Sequence, residues 1–133
     1  LAQTERMDET VARKRWMGKA YTERLAGVPG LQLPVERAWA RQVYWMYGVV
    51  LAREHELSAR EFAARLRERG VDTRPFFLGM HAQPVMQQRG LFKDETYPVA
   101  DHLARQGLYL PSGLGLSEAQ LEQVCAAVRE TLL

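Results

Sequence analysis

The sequence predicts a small mixed α/β domain, in which a three-stranded, mostly antiparallel sheet is covered by helices and preceded by one long helix. Residues 43–51 are aromatic, β-branched and apolar on both faces, which is typical of a buried strand. Two Ser-x-x-Glu/Gln sequences mark the starts of helices. Apolar residues at helical spacing mark the first and the last helix of the chain.

The first helix is predicted over residues 1–26. Its apolar residues recur at intervals of four, namely Met7 and Val11, then Met17, Tyr21 and Leu25. This pattern is interrupted near residues 14 and 15, so we expect the helix to pack against more than one neighbour. The segment Gly27–Gly30 ends the helix, and a polar connector follows to about Arg41.

The middle of the chain continues with alternating elements. After the strand at 43–51, Ser58 and Glu61 form a capping box at the start of a helix that ends at Gly70. A second strand is predicted at 71–77, where Pro75 favours an edge position or a strand end. Residues 78–95 are predicted to be irregular. A short helix from Pro98 to Gly107 then leads into the third strand, at 108–111.

The segment after the third strand is a joint between strand and helix. Pro111 interrupts the strand, and the glycines at 113 and 115 free the backbone. Ser117 and Gln120 then form a second capping box, with Leu116 and Leu121 at the positions of a hydrophobic staple. Free N–H groups here could bind a phosphate, but Ser117 already caps the helix, which favours a plain turn.

Composition excludes several classes of protein. At 133 residues, with 47% hydrophobic and 26% charged residues, the chain is about one globular domain. A net charge of +2 gives no strong field for nucleic acid or an acidic membrane. No apolar run approaches the roughly 18 residues of a membrane span, and no signal peptide is visible, so a cytoplasmic location is expected.

Metal and nucleophilic chemistry are also disfavoured. The three histidines, at 55, 81 and 102, lack the i, i+4 spacing of a metal site. The single cysteine, Cys125, lies on the apolar stripe of the last helix, so a buried core thiol is expected rather than a nucleophile.

Four residues remain as candidates for binding a ligand. Arg74 carries a rigid, forked cation suited to phosphate or carboxylate, and His81 follows in a loop that could project it into a cleft. The alternatives are a surface ion pair for Arg74 and a solvated position for His81. Trp45 could stack on a base, although aromatic residues in a strand are more often core, and Ser112 lies in the glycine-rich joint.

Five blocks of the sequence resemble those of the DegT/DnrJ/EryC1/StrS family of aminotransferases, which act on nucleotide-linked sugars. They occur in the family's order from residue 1 to residue 133: LAQTERMDE at 1–9, VYWMY at 43–47, TRPFF with MH and QP at 73–84, YPVA at 97–100, and LPSGLGLSEAQ at 110–120. One departure is Gly48, which interrupts the strand where a β-branched residue is usual.

The resemblance implies the C-terminal part of a pyridoxal-phosphate enzyme of the aspartate-aminotransferase fold, fold type I. Residues 1–37 would be the interdomain helix and connector, and 38–133 the small C-terminal domain. In such enzymes a lysine of the large domain holds the cofactor, and an amino group passes from glutamate to a keto sugar on a nucleotide. The intact enzyme would be a homodimer.

The motifs that hold the cofactor are missing from this sequence. The resemblance therefore implies a fragment that closes over the active site, supplies substrate contacts through Arg74, His81, Ser112 and Trp45, and is inactive alone. No cofactor-binding, catalytic or metal-binding residue is assigned to it. The start at Leu1, already inside a helical pattern, suggests a piece of a longer chain. The alternative is a non-catalytic α+β ligand-binding or regulatory module.

Overall fold

The computed structural model describes residues 2–133 and shows helices packed on an antiparallel sheet. Within those residues the sheet has four strands: β1 Leu31–Gln32, β2 Tyr47–Leu51, β3 Arg74–Pro75 and β4 Gly107–Leu110. Their spatial order is β1-β2-β4-β3, and every neighbouring pair is antiparallel. The predicted α/β class and antiparallel sheet are confirmed.

The helices lie before, between and after these strands in the chain. They are α1 Ala2–Glu5, α2 Met7–Leu25, α3 Ala59–Glu68, α4 Pro84–Gln88, α5 Pro98–Gln106 and α6 Glu118–Leu132, with a single 3-10 turn at Met80–Ala82. Both predicted capping boxes are confirmed. The Ser58 hydroxyl accepts from the Glu61 amide at 3.3 Å, and the Ser117 hydroxyl accepts from the Gln120 amide at 3.2 Å.

One face of the sheet forms the core together with α2, α3 and α6. Val49 of β2 pairs with Leu108 of β4, and both are almost fully buried. Tyr21, Phe62 and Leu121 bring the three helices into the same cluster. Residues directly opposite one another share a face. The alternate residues of the strands therefore lie on the other face of the sheet.

The prediction of three strands was wrong by one strand. β1 lies inside the segment predicted to be a polar connector, where Leu31 pairs with Leu51. A segment of two residues is too short to show the alternation of apolar and polar residues that predicts a strand. Leu31 and Gln32 form a strand only because they pair with β2. The second predicted strand, 71–77, is shorter, at Arg74–Pro75. Pro75 has no N–H to donate, and the amide of Phe76 makes one last bond to the Gly107 carbonyl, at 3.2 Å.

Three other boundaries differ from the predicted ones. β2 starts at Tyr47 rather than 43, because Tyr44 has φ +50° and turns the chain before the sheet begins. The first helix is divided near Arg6, whose ψ of 16° departs from helical geometry, and Leu1 lies outside the described residues. The segment predicted to be irregular contains the 3-10 turn and α4, both started after residues with extended backbone.

Candidate functional site

Arg74 and Ser112, predicted separately as substrate contacts, lie in the walls of one small depression. Its volume is about 210 Å³, and Met46, Asp72 and Tyr109 contribute to the same walls. Arg74 is opposite Tyr109 in the β3–β4 ladder, on the sheet face turned away from the core. Within residues 2–133 the exposed guanidinium makes no hydrogen bond and no salt bridge. It is therefore able to bind an anion at this edge.

The joint that carries Ser112 is held in place by cations of α2. The Lys14 ammonium donates to the Ser112 carbonyl, and the Tyr21 hydroxyl donates to the Pro111 carbonyl at 2.8 Å. The Arg13 guanidinium donates to the Leu116 carbonyl. Burial lowers the pKa of Lys14, because the charged ammonium loses solvent there. These contacts explain the interrupted apolar pattern of α2, which was the signal in the sequence for residues that bind the joint.

A third cation of α2 holds the segment before β2. Arg15 pairs with Glu36 at 2.8 Å and also donates to the Gln42 carbonyl. The Glu36 carboxylate accepts from the Gln42 amide at 3.0 Å, and these contacts lower the pKa of Glu36. This segment presents Trp45, which is 70% exposed and directly precedes Met46 of the depression. Trp45 is thus outside the core, next to the site rather than in its walls.

Aromatic rings cover the sheet beside the depression. The ring of Phe76 stacks on Tyr109, with centroids 4.5 Å apart. It lies so close to Gly48 that a Cβ there would be 2.8 Å from Phe76 Cζ. The departure at Gly48 thus has a steric reason, since a β-branched residue would displace this ring. Phe77 is 69% exposed and extends the aromatic surface.

His81 is held away from the depression. Its Nε2 lies 2.8 Å from Asp101 Oδ1, and its ring stacks on Tyr97 with centroids 4.7 Å apart. The side chain is only 17% exposed. The described structure therefore joins Arg74 with Ser112 and places His81 in a separate contact between the 3-10 turn and α5. Its partners are Asp101, which no motif indicated, and Tyr97, the first residue of the YPVA block.

The described residues do not fit a pyridoxal-phosphate site. Lys14 is engaged with the joint, Lys19 lies 3.7 Å from Glu23 at the surface, and Lys93 is exposed. None of the three lysines lines the depression. None lines a larger groove that lies between α3 and α5 either. Among residues 2–133 there is no group of His, Cys, Asp and Glu side chains arranged to hold a metal ion. In the same residues, no helix combines the length and apolar character needed to cross a membrane.

Several curated proteins are similar to this chain over nearly all of its residues. GDP-perosamine synthase of Vibrio cholerae is 28% identical over 129 residues, which are 97% of this chain and 34% of that protein. The dTDP-3-amino-3,4,6-trideoxy-alpha-D-glucose transaminase of Streptomyces venezuelae is 31% identical over 125 residues, or 93% of this chain and 31% of that protein. The chain thus spans about a third of the length of these relatives.

Solved structures show the same relationship. The aminotransferase TlmJ from Streptoalloteichus hindustanus superposes with a TM-score of 0.81 at 28% identity, covering 98% of this chain and 34% of that one. Helicobacter pylori PseC, at 14% identity, shares the fold with a TM-score of 0.86 over 99% of this chain and 35% of that one. The sequence itself matches the DegT/DnrJ/EryC1/StrS aminotransferase family over residues 1–129. The chain belongs to this family.

Proposed function

We propose that this chain is the C-terminal part of a pyridoxal-phosphate-dependent aminotransferase that transfers an amino group, with glutamate as donor, to a keto sugar linked to a nucleotide. The observation that carries the proposal is the family match over residues 1–129, together with the coverage of only a third of each relative. The names of two relatives, a GDP-sugar synthase and a dTDP-sugar transaminase, support a nucleotide-linked substrate.

In this proposal Arg74 binds the charged part of the substrate. Its guanidinium has no partner among residues 2–133, lies at the rim of a depression and has the forked geometry that phosphate oxygens match. The neighbouring Ser112 hydroxyl and the exposed Trp45 ring offer a hydrogen bond and a stacking surface. His81 acts from the other side, through a segment fixed by Asp101 and Tyr97.

The cofactor and the partner subunit lie outside these residues in our proposal. Pyridoxal phosphate supplies the electron sink that amino transfer needs. Because the lysines of this chain do not fit its site, the parent protein would hold it in a large domain, and residues 38–133 would close over that domain. Residues 1–37 would connect the two, and the intact enzyme would be a homodimer. The chain alone should therefore not transaminate.

Steady-state kinetics of the full-length parent test this role. Arg74→Ala and His81→Ala should each raise the KM for the nucleotide sugar about tenfold or more, because remote contacts add substrate binding without touching the cofactor. The absorbance of the bound cofactor should not change. Arg89→Ala is the matched control, since Arg89 is an exposed cation of the same region, at the end of α4.

Two results would contradict the proposal. If the variants lost the cofactor absorbance while the KM stayed unchanged, Arg74 and His81 would act on the cofactor rather than on the substrate. A parent gene that encodes no further domain before residue 1 would favour the regulatory module instead.

A further inference from the structure

A second, larger groove lies on the other side of β3 from the Arg74 depression. Its volume is about 1020 Å³, and its walls are α3, α5 and the β3–β4 edge. One face of α3 supplies Arg60 and Arg67, which lie seven residues apart and hence on the same side of the helix. Arg105 of α5 and Arg53, just after β2, face the same space.

One side chain in the wall of the groove connects its two helices. The Gln106 side-chain carbonyl accepts from the Ala59 amide at 3.2 Å, and its amide donates to the Ala52 carbonyl at 3.4 Å. One side chain therefore ties α5 to the start of α3. Small residues, Ala63 and Ala64, lie between the arginines of α3 and form an apolar floor.

The charged side chains that line this groove are cationic. Among the described residues, four arginines and His102 line it, and no aspartate or glutamate does. Arg53 and Arg105 donate only to backbone carbonyls, of Pro98 and Asp101, each at 3.3 Å. Within residues 2–133, Arg60 makes no hydrogen bond or salt bridge through its side chain. Arg67 alone has an acidic partner, Asp72 at 3.0 Å, in a solvent-exposed pair that an incoming anion could replace.

Nearby carboxylates are engaged elsewhere. Glu61 of α3 accepts from the amide and the hydroxyl of Ser58, and the Asp101 carboxylate contacts His81. These acids therefore do not neutralise the arginines of the groove. The arrangement favours an anion carrying more than one negative group, because guanidinium groups on two facing walls bind best when both are satisfied.

We propose that this groove binds a small organic polyanion of the nucleoside-diphosphate class. Arginines of α3 and α5 would bind the phosphate oxygens, and the alanine floor would receive the ring. The volume is at the upper end of the range found for ligand sites, roughly 300–1,000 Å³, and is large enough for such a molecule. The groove and the Arg74 depression share only Thr73 among the residues that line them.

Isothermal titration calorimetry tests the proposal on the protein as its gene encodes it. The probes are ADP and inorganic pyrophosphate, with adenosine as the uncharged control, at low ionic strength. The double variant Arg60→Gln/Arg105→Gln should weaken binding of ADP about tenfold or more. Arg65→Gln, an exposed arginine on another face of α3, is the matched control and should leave binding unchanged. All the altered residues are exposed, and circular dichroism should show equal folding.

Each other outcome overturns the proposal. If neither ADP nor pyrophosphate binds, the groove does not bind a ligand of the proposed class. An equal loss in Arg65→Gln would show a general effect of charge. Loss of binding in Arg74→Gln, with binding kept in the double variant, would place the anion in the Arg74 depression, which would support the proposed function while refuting this site. Binding of an acidic peptide but of neither small anion would mean a protein partner instead.

Discussion

The ring of Tyr44 rests directly on Gly18 of α2. A Cβ added at Gly18 would lie 2.5 Å from Tyr44 Cγ, a distance that side chains do not tolerate. Tyr44 also has φ +50°, so the backbone before β2 is turned at the residue whose ring is held by the helix. This contact fixes the segment that presents Trp45 and Met46 next to Arg74.

We therefore expect Gly18→Ala to destabilise the fold. Overpacking costs about 1–3 kcal/mol, and the better helix propensity of alanine returns only about 1 kcal/mol, so the net loss should reach up to about 2 kcal/mol. Urea unfolding measures it. In a Tyr44→Ala background the clash is absent, and the same change should become stabilising. Equal effects of Gly18→Ala in both backgrounds would contradict this contact.

Lys14→Met should cost roughly 1–3 kcal/mol. The substitution keeps most of the volume but removes the donor to the partly buried Ser112 carbonyl, which is then left without its partner. Lys19→Met is the control, because Lys19 is exposed and only 3.7 Å from Glu23, and should change stability by less than about 0.5 kcal/mol. Thermal unfolding compares the two. Equal midpoints would show that Lys14 does not hold the joint.

The cap of α6 gives a third prediction. Ser117→Ala should lower the free energy of unfolding by about 1 kcal/mol, because the Gln120 amide loses its acceptor. Ser117→Gly should cost only a few tenths of a kcal/mol. Ser112→Ala, five residues earlier, is the control. The described structure records no hydrogen bond from the Ser112 hydroxyl, so denaturant midpoints should show no loss there.

Local signals in the sequence were sufficient for some elements of the fold. The capping boxes at Ser58 and Ser117 depend on residues three apart, and both were predicted correctly. β1 could not be predicted, since Leu31 becomes a strand residue only through its distant partner Leu51. The start of β2 was missed for a similar reason. Tyr44 takes its unusual φ in a segment held by α2, 26 residues away, and an aromatic run does not show that.

The candidate site, too, could be predicted from the sequence only in part. Arg74 was a candidate from its residue type and its position beside a proline, and its role stays a prediction. Its grouping with Ser112 depends on the pairing of β3 with β4, which only the folded chain shows. The contacts of Lys14 and Arg13 were visible only as an interruption of an apolar pattern. The separation of His81 from Arg74 follows from the Asp101 contact, for which no motif exists.

Stability should fall at alkaline pH because of Cys125. The thiol is fully buried, and burial raises its pKa from 9.0 to about 11. Between these values the unfolded chain loses the proton first, so the free energy of unfolding declines as pH rises from about 9 to about 11, by roughly 2–3 kcal/mol. Buried Tyr47, with its pKa raised to about 12, adds a similar loss above about pH 10.

The variant Cys125→Ala distinguishes the contribution of the thiol to the alkaline loss of stability from the contribution of the tyrosines. The variant should be less stable at neutral pH because it leaves a small cavity, but its stability should fall much less between about pH 9 and 10, where the thiol contributes most of the decline. Urea unfolding at several pH values gives the slope. A decline in Cys125→Ala as steep as in the parent sequence would assign the alkaline loss to other groups.

The exposed apolar side chains between β3 and β4 should make the isolated chain associate. Phe77 is 69% exposed and Val99 is 64% exposed, and Leu78 and Met80 are also more than half exposed. Exposed apolar surface drives association in water when it forms a patch. Light scattering should therefore show an apparent mass that rises with concentration.

Phe77→Ser and Val99→Ser should each reduce that rise, whereas Glu68→Ser, at an exposed polar position of α3, should not. A mass that stays monomeric at high concentration would show that this surface is not enough to hold two copies together.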